Sequence, residues 1–494
     1  MQHELDQATK ANDALLRTRD DRWYPTFHIA ARAGWINDPN GLCHFDGRHH
    51  VFFQHHPAST LWGPMHWGHV SSADLVTWRR EPLALAPSLP EDADGVFSGS
   101  AVVADDGLLR LFYTGNVWGP DGKDHPGGRQ CQMLATSRDG VTFEKRGVVV
   151  ESPGLADFRD PKVWRRDGRW WMVLGVRSAE DRGQVWLYSS TDLERWTFER
   201  VTYEDPDPDV YMVECPDLFE LDGKWVLLYG PMTTARPTGY AFRNGHNCGY
   251  VVGDWSPETG FVAETTLRPI DWGHEFYAPQ TYLAPDGRRI MVGWMGGFTL
   301  PLASQRDDGW SGQLAVAREL SLTPDGPLRA VPIRELTALR RGSRDLGACT
   351  LAPDEERVIA EGDDGVEIEL EIDLSRTTAE QVGLNVHRTG AGRSTWVGFD
   401  ALARRVVLDR RTVGTMNAGY RSAPVGDVDQ LRLRVLVDRG SVEVFVGDGD
   451  AAVSSLSFPA DGPRSVSLAA AMGEATISSL AVHRLGTIWA EPDR

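Results

Sequence analysis

Three carboxylates of this chain stand in short runs that lead into proline: Asp38 in "WINDPNG", Asp160 in "FRDPKVW" and Glu214 in "ECPDLF". Each alone is ordinary turn material, because proline fixes φ while Asp, Asn and Gly tolerate tight-turn conformations. Brought together, they are reactive. Carboxylates sharing a partly enclosed pocket raise one another's proton affinity, and burial adds to the effect, so one stays protonated near neutrality while another is ionised. An acid and a nucleophile paired in this way can cleave a glycosidic bond. Carboxyl groups about 5 to 5.5 Å apart give a covalent intermediate and retention, and a wider spacing gives inversion.

What would gather them is a repeat. A Gly-tipped hairpin with alternating apolar flanks recurs at Gly47, Gly107, Gly168, Gly223 and Gly287, in steps of 60, 61, 55 and 64 residues. A second marker, "SSADLVTW" (71–78), "TSRDGVTF" (136–143) and "SSTDLERW" (189–196), supports the same period. Short strands, frequent turn signals and eighteen tryptophans to wedge between sheets predict an all-β chain that opens with a five-bladed β-propeller. Asp38, Ser98, Asp160, Glu214 and Tyr277 lie 9, 9, 8, 9 and 10 residues before their hairpin glycines, so they are expected to form one ring around the central channel.

The neighbours of that ring suit a sugar. Trp35, Trp62, Phe97 and Trp294 offer flat apolar faces, and Asn37, Gln54, Ser98, Arg159 and Tyr277 offer fixed donors and acceptors for hydroxyls. Each has a plainer reading: tryptophan as core, Arg159 as the ion-pair partner of an adjacent Asp160, Gln54 as the satisfier of a strand edge. Position in the repeat is what raises them together.

The blocks "WINDPNG", "MHWGHVSSADLVTW", "FSGSA", "FRDPKVW", "ECPDLF" and "FYAPQTY" resemble, in order, the signature blocks of glycoside hydrolase family 32, the β-fructofuranosidases. "VDRGSVEVFVGDG" (437–449) resembles the family's C-terminal β-sandwich. The resemblance implies that Asp38 is the nucleophile, Glu214 the general acid and then base, and Asp160 the stabiliser of the oxocarbenium-like transition state with Arg159 nearby. It also implies that Trp35, Asn37, Gln54, Trp62, Phe97, Ser98, Tyr277 and Trp294 line the fructose subsite. Cys215 matches the family's cysteine beside the acid, where it tunes the surroundings. Val213, where many bacterial relatives carry Trp, and the stretch 296–310 depart from the pattern on the leaving-group side. The implied reaction is retaining hydrolysis of sucrose or its 6-phosphate; fructan hydrolysis, fructosyl transfer on the same site and a non-catalytic sugar-binding propeller are the alternatives.

The 494 residues exceed one ordinary core. They divide into an N-terminal extension (1–21), a propeller (22–328), a linker helix (329–343, from "AVPIRELTALRRG") and a β-sandwich (344–494) that covers the propeller's flank or forms a dimer surface. A formal charge of -19 argues against nucleic acid or an anionic membrane as a partner. Five cysteines at irregular spacings, with no CxxC pair, fit reduced thiols. The first twenty residues are too charged for a signal peptide, so a cytoplasmic monomer or homodimer is expected, with no metal and no cofactor. Lys123, His125, Arg236 and Arg306 are the loop cations available to a phosphate.

Overall fold

A computed structural model of the chain describes residues 1–122, 128–235, 238–324, 326–362, 365–414 and 416–491. Lys123, His125 and Arg236 therefore lie outside the described residues.

The hairpin glycines do what the repeat requires. Gly47, Gly107, Gly168, Gly223 and Gly287 all take positive φ (71°, 74°, 76°, 81° and 85°), and each joins the first two strands of a separate antiparallel sheet. Asp46, Asp167 and Asp222 precede three of them with φ of 46°, 52° and 50°, the paired left-handed turn that matches strand twist. The second marker is also a turn. Asp74 accepts the N–H groups of Val76 and Thr77, Asp139 those of Val141 and Thr142, and Asp192 those of Glu194 and Arg195. In each case the residue after the aspartate is left-handed: Leu75, Gly140 and Leu193.

The innermost strands are Gly34–Phe45, Gly95–Val103, Asp157–Arg166, Val210–Leu221 and Tyr277–Leu283. Each contacts the next and the last contacts the first, so the five sheets close a ring around a channel. A short parallel pairing of Trp310–Ser311 with Gly34 and Trp35 latches the closure. Tryptophans fill the wedges between sheets, as in the Trp164, Trp171, Trp225 and Trp255 cluster, where the Trp225 and Trp255 rings stand 4.7 Å apart.

Two features differ from expectation. Within 329–343 the linker helix is shorter than that stretch: Leu328–Pro332 is the outer strand of the fifth sheet, Arg334–Leu339 a six-residue 3-10 helix, and Arg340–Asp345 already a strand of the next domain. The apolar spacing is real, since Leu336 and Leu339 are buried, but Pro332 and pairing with flanking sheets limit the helix to those six residues. The N-terminal extension holds a helix, Gln2–Leu16, whose Leu5, Ala8, Asn12 and Leu16 face inward, with Asn12 Nδ2 donating to Ala33 O and Pro57 O.

The C-terminal domain packs two antiparallel sheets face to face over a core of Val, Ile and Leu, in which each fully buried side chain contributes about 1.5–3 kcal/mol. Its contact with the propeller joins apolar packing, in which Leu436, Phe445, Leu456 and Phe458 extend the propeller's core, to a buried polar network. Asp438 accepts the N–H groups of Thr26 and Phe27 and pairs with His28 Nδ1 at 2.8 Å, while His28 Nε2 meets Glu443 at 2.9 Å. Arg318, also fully buried, bonds Glu443 at 2.8 Å and Asp271 at 2.9 Å. The sandwich's edge strand Ala451–Leu456 is capped by propeller residues: Trp272 N–H donates to Ala452 O at 2.8 Å and Glu275 N–H to Ser454 O at 3.2 Å. The approach requires Gly273, because a Cβ there would lie 1.8 Å from Ser454 O.

Candidate active site

Each inner strand slips register at the same level. Two residues there face one on the neighbouring strand in four sheets: Asn37 and Asp38, Asp160 and Pro161, Cys215 and Pro216, and Ala278 and Pro279. In the second sheet Ser98 takes this place beside Gly99. Such bulges re-aim side chains and occur beside active sites. Asp160, Cys215 and Ala278, each ahead of a proline, take φ of 67°, 48° and 47°. That conformation is disfavoured for residues with a Cβ, at a cost of roughly 1–3 kcal/mol each. The ring inferred by counting therefore joins two levels. Asp160 is equivalent to Cys215 and Ala278, whereas Glu214 and Tyr277 are equivalent to Arg159, one residue earlier. The bulge turns both levels into one pocket.

The contacts form a circuit. Trp35 Nε1 donates to Asn37 Oδ1 at 2.7 Å, and Asn37 Nδ2 to Asp38 Oδ1 at 3.0 Å. The other Asp38 oxygen accepts Ser98 Oγ at 2.6 Å and lies 3.5 Å from Cys215 Sγ. Cys215 N–H donates to Asp160 Oδ2 at 2.8 Å. Arg159 reaches Glu214 Oε1 at 2.7 Å and Asp157 at 2.5 Å, and Tyr277 Oη donates to Glu214 Oε2. From Tyr277 the circuit returns through rings: His246 at 5.4 Å, Phe298 4.9 Å further, Trp294 4.9 Å beyond it and Trp35 at 5.6 Å.

Burial sets the charge states. It pushes the Asp160 carboxyl up to about 7; Arg159 opposes this, and the Glu214 and Asp38 carboxylates add to it. Asp38 is raised by burial too, against hydrogen bonds from Ser98 and Asn37 that favour its charged form. The Cys215 thiol is driven well above its ordinary range by burial and by three nearby carboxylates, so it is a protonated neighbour and a poor nucleophile.

The profile of the glycosyl hydrolases family 32 N-terminal domain matches residues 28–332, and that of the family's C-terminal domain matches 335–484. The chain belongs to glycosyl hydrolase family 32. Among curated family 32 proteins, a sucrose-6-phosphate hydrolase of Escherichia coli is 43% identical over 98% of this chain and 100% of its own length. A raffinose invertase of Escherichia coli is 43% identical over 99% of each. Among solved structures, a variant of the Bombyx mori GH32 beta-fructofuranosidase in complex with sucrose superposes with a TM-score of 0.86, at 32% identity and covering 98% of this chain and 99% of that one.

The family 32 residues expected from sequence fall as follows. Asp38, Asp160, Glu214, Arg159, Asn37, Ser98, Tyr277, Trp35 and Trp294 are all in the circuit. Trp35 and Trp294 are only 2% and 1% exposed, so they support the wall from behind, and Phe298, 39% exposed, presents the open face. Trp62 and Phe97 form a second wall with Trp118, with rings 5.7–6.0 Å apart. Gln54 stands opposite the Asn37–Asp38 bulge and donates to Val96 O at 2.9 Å, bracing the strand that carries Phe97 and Ser98. Arg306 is exposed on the short helix Ala303–Asp307, whose Ala303 and Ser304 are buried. Sequence reasoning missed Trp118, His246, Phe298 and Asp157, which sit on loops or strand ends outside the repeat. It also missed Gly230, opposite Glu214, where a Cβ would come within 2.6 Å of Tyr277 Oη. Only the departure at 296–310 hinted at Phe298.

Proposed function

We propose that the protein is a retaining β-fructofuranosidase that hydrolyses sucrose or sucrose 6-phosphate. The observation that carries this reading is that Asp38, Glu214 and Asp160 come from three different sheets yet meet in one connected pocket. Asp38, its position fixed by Asn37 and Ser98, attacks the anomeric carbon of the β-fructosyl unit. Glu214 gives a proton to the departing glucosyl oxygen, so the sugar leaves as a neutral alcohol and a covalent fructosyl ester remains on Asp38. Glu214 then takes a proton from water, which attacks the ester; Arg159 and Tyr277 both donate to Glu214 and fix its position for both steps. Asp160, held by Cys215 N–H, takes hydrogen bonds from fructose hydroxyls and stabilises positive charge at the transition state.

The sucrose-6-phosphate hydrolase and raffinose invertase relatives and the sucrose-bound neighbour support a sucrose-type substrate. We place the enzyme in the cytoplasm, a reading supported by its five free thiols, and take it to act as a monomer or homodimer. Among the described residues no helix is long and apolar enough to cross a membrane. The decisive experiment is to incubate the protein with each sugar and follow the first-formed fructose by NMR. Release of β-fructofuranose with glucose or its 6-phosphate is expected; no release, or the α anomer first, overturns the reading.

A further inference from the structure

Beside the active site, a cavity of about 310 Å³ lies between the propeller and the sandwich. Tyr277 and Trp294 line it, so it adjoins the side of the active site where Tyr277 meets Glu214. Its volume is at the lower end of small-ligand sites, about 300–1,000 Å³. Its lining is cationic. Glu275, the one carboxylate among the described lining residues, is consumed by Arg410 through two hydrogen bonds of 2.8 Å.

Arg421, supplied by the sandwich, has no such counter-charge. Its guanidinium donates to Asn244 Oδ1 at 2.8 and 2.9 Å and to the carbonyls of Arg243 and Tyr420 at 2.9 Å, all neutral acceptors. The loop it grips is stiff: Asn244 and Asn247 bond each other reciprocally, and Asn244 Nδ2 holds Gly273 O at 2.9 Å. The same loop places His246 in the cavity wall and against Tyr277. His274, 8% exposed and lining the cavity, has a buried Nε2 with no hydrogen-bond partner. A half-buried guanidinium left with its full charge is a receptor for an anion.

We propose that this cavity receives an anionic substituent, a phosphate monoester on O6 of the departing glucosyl unit, and that Arg421 neutralises it. The inference rests on the β-fructofuranosidase reading and names its leaving-group specificity. It makes the sandwich part of the substrate site rather than only a cover for the propeller's flank.

The test compares kcat/KM for sucrose 6-phosphate, sucrose and raffinose, the last carrying a neutral sugar on the same O6. The wild type is expected to favour sucrose 6-phosphate over sucrose by at least about 10-fold. Arg421→Ala and Arg421→Gln should cut that ratio about 10- to 100-fold, mainly through KM, with Arg421→Lys between, while the raffinose-to-sucrose ratio stays within about twofold. A phosphate-to-sucrose ratio that is the same in wild type and variants overturns the inference and leaves the β-fructofuranosidase reading intact. Failure of the wild type to cleave any of the three overturns that reading itself. If the variants do not fold, the wild type still decides: glucose 6-phosphate should inhibit sucrose cleavage at least about 10-fold more tightly than glucose, and equal inhibition overturns the assignment.

Discussion

The backbone N–H of Cys215 points at the carboxylate of Asp160 across two neighbouring sheets, 2.8 Å away. Both residues are left-handed and both precede a proline. The bulge that carries the acid thus also supplies the donor that holds the transition-state stabiliser, and the two can be perturbed separately by substitution.

Asp160→Asn keeps an acceptor for that N–H but removes a carboxyl whose pKa is pushed up to about 7, so ionising it costs the folded state increasingly as pH rises from about 4 towards 7. The variant should lose activity by at least about 10³-fold and melt higher than wild type at pH 8, by about 2 °C or more, with the gain shrinking at pH 5. Calorimetry at the two pH values checks this; an equal or reversed shift would contradict the electrostatic account.

Asp38→Asn should abolish turnover, by about 10⁴-fold or more, while the fold persists, because Ser98 and Asn37 still find partners on the amide. Glu214→Ala behaves differently. It should slow sucrose far more than an activated fructoside, since acid assistance matters least when the leaving group departs easily. Equal losses on the two substrates would remove Glu214 from the acid role.

Gly230 bears on the acid through Tyr277. Gly230→Ala places a methyl 2.6 Å from Tyr277 Oη, which must move from Glu214. A loss of about 10- to 100-fold in kcat/KM is expected with little change in melting temperature. Combined with Tyr277→Phe, the loss should be far from additive, because both changes break the same hydrogen bond. Additive losses would place the effect of Gly230 elsewhere.

The domain interface carries its own pH dependence. Burial opposes charge on His28, yet hydrogen bonds to Asp438 and Glu443 outweigh it and push its pKa up to about 9 from 6.5. Burial likewise opposes charge on the two carboxylates, and His28 pulls both down to about 2, with Arg318 adding its charge at Glu443. The His28 contribution is complete below its unfolded value near 6.5 and is lost as pH climbs through 9; the carboxylate contribution is complete above about 4.5 and is lost as pH falls through 2. Replacing His28 with Gln should cost about 3–5 kcal/mol between pH 4.5 and 6.5, progressively less as pH rises from 6.5 to 9, and level off above that, as read from denaturant unfolding. A constant penalty across that range would mean His28 is held neutral.

The fold was legible where the chain repeats itself. The five Asp-Gly or Pro-Asp-Gly tips and the three Asx turns are local chemistry, and they recur because each sheet solves the same problem. The catalytic carboxylates were legible for the same reason, though counting from the hairpin merged Asp160 with Glu214, since a bulge adds a residue that spacing alone does not reveal. What was hidden depends on distant partners. Leu336 and Leu339 have helical spacing but serve a short 3-10 helix between two sheets, Leu5 to Leu16 form a stripe diluted by charge, and Phe298 and His246 reach the pocket from loops that follow no period.

One residue, Phe276, separates Glu275, seated on the sandwich's edge, from Tyr277, which touches the acid. With Gly273 pressed against Ser454, that segment has no slack. The C-terminal half therefore works as a gauge block for the reaction centre: a propeller severed from it would keep its five sheets and lose its calibration.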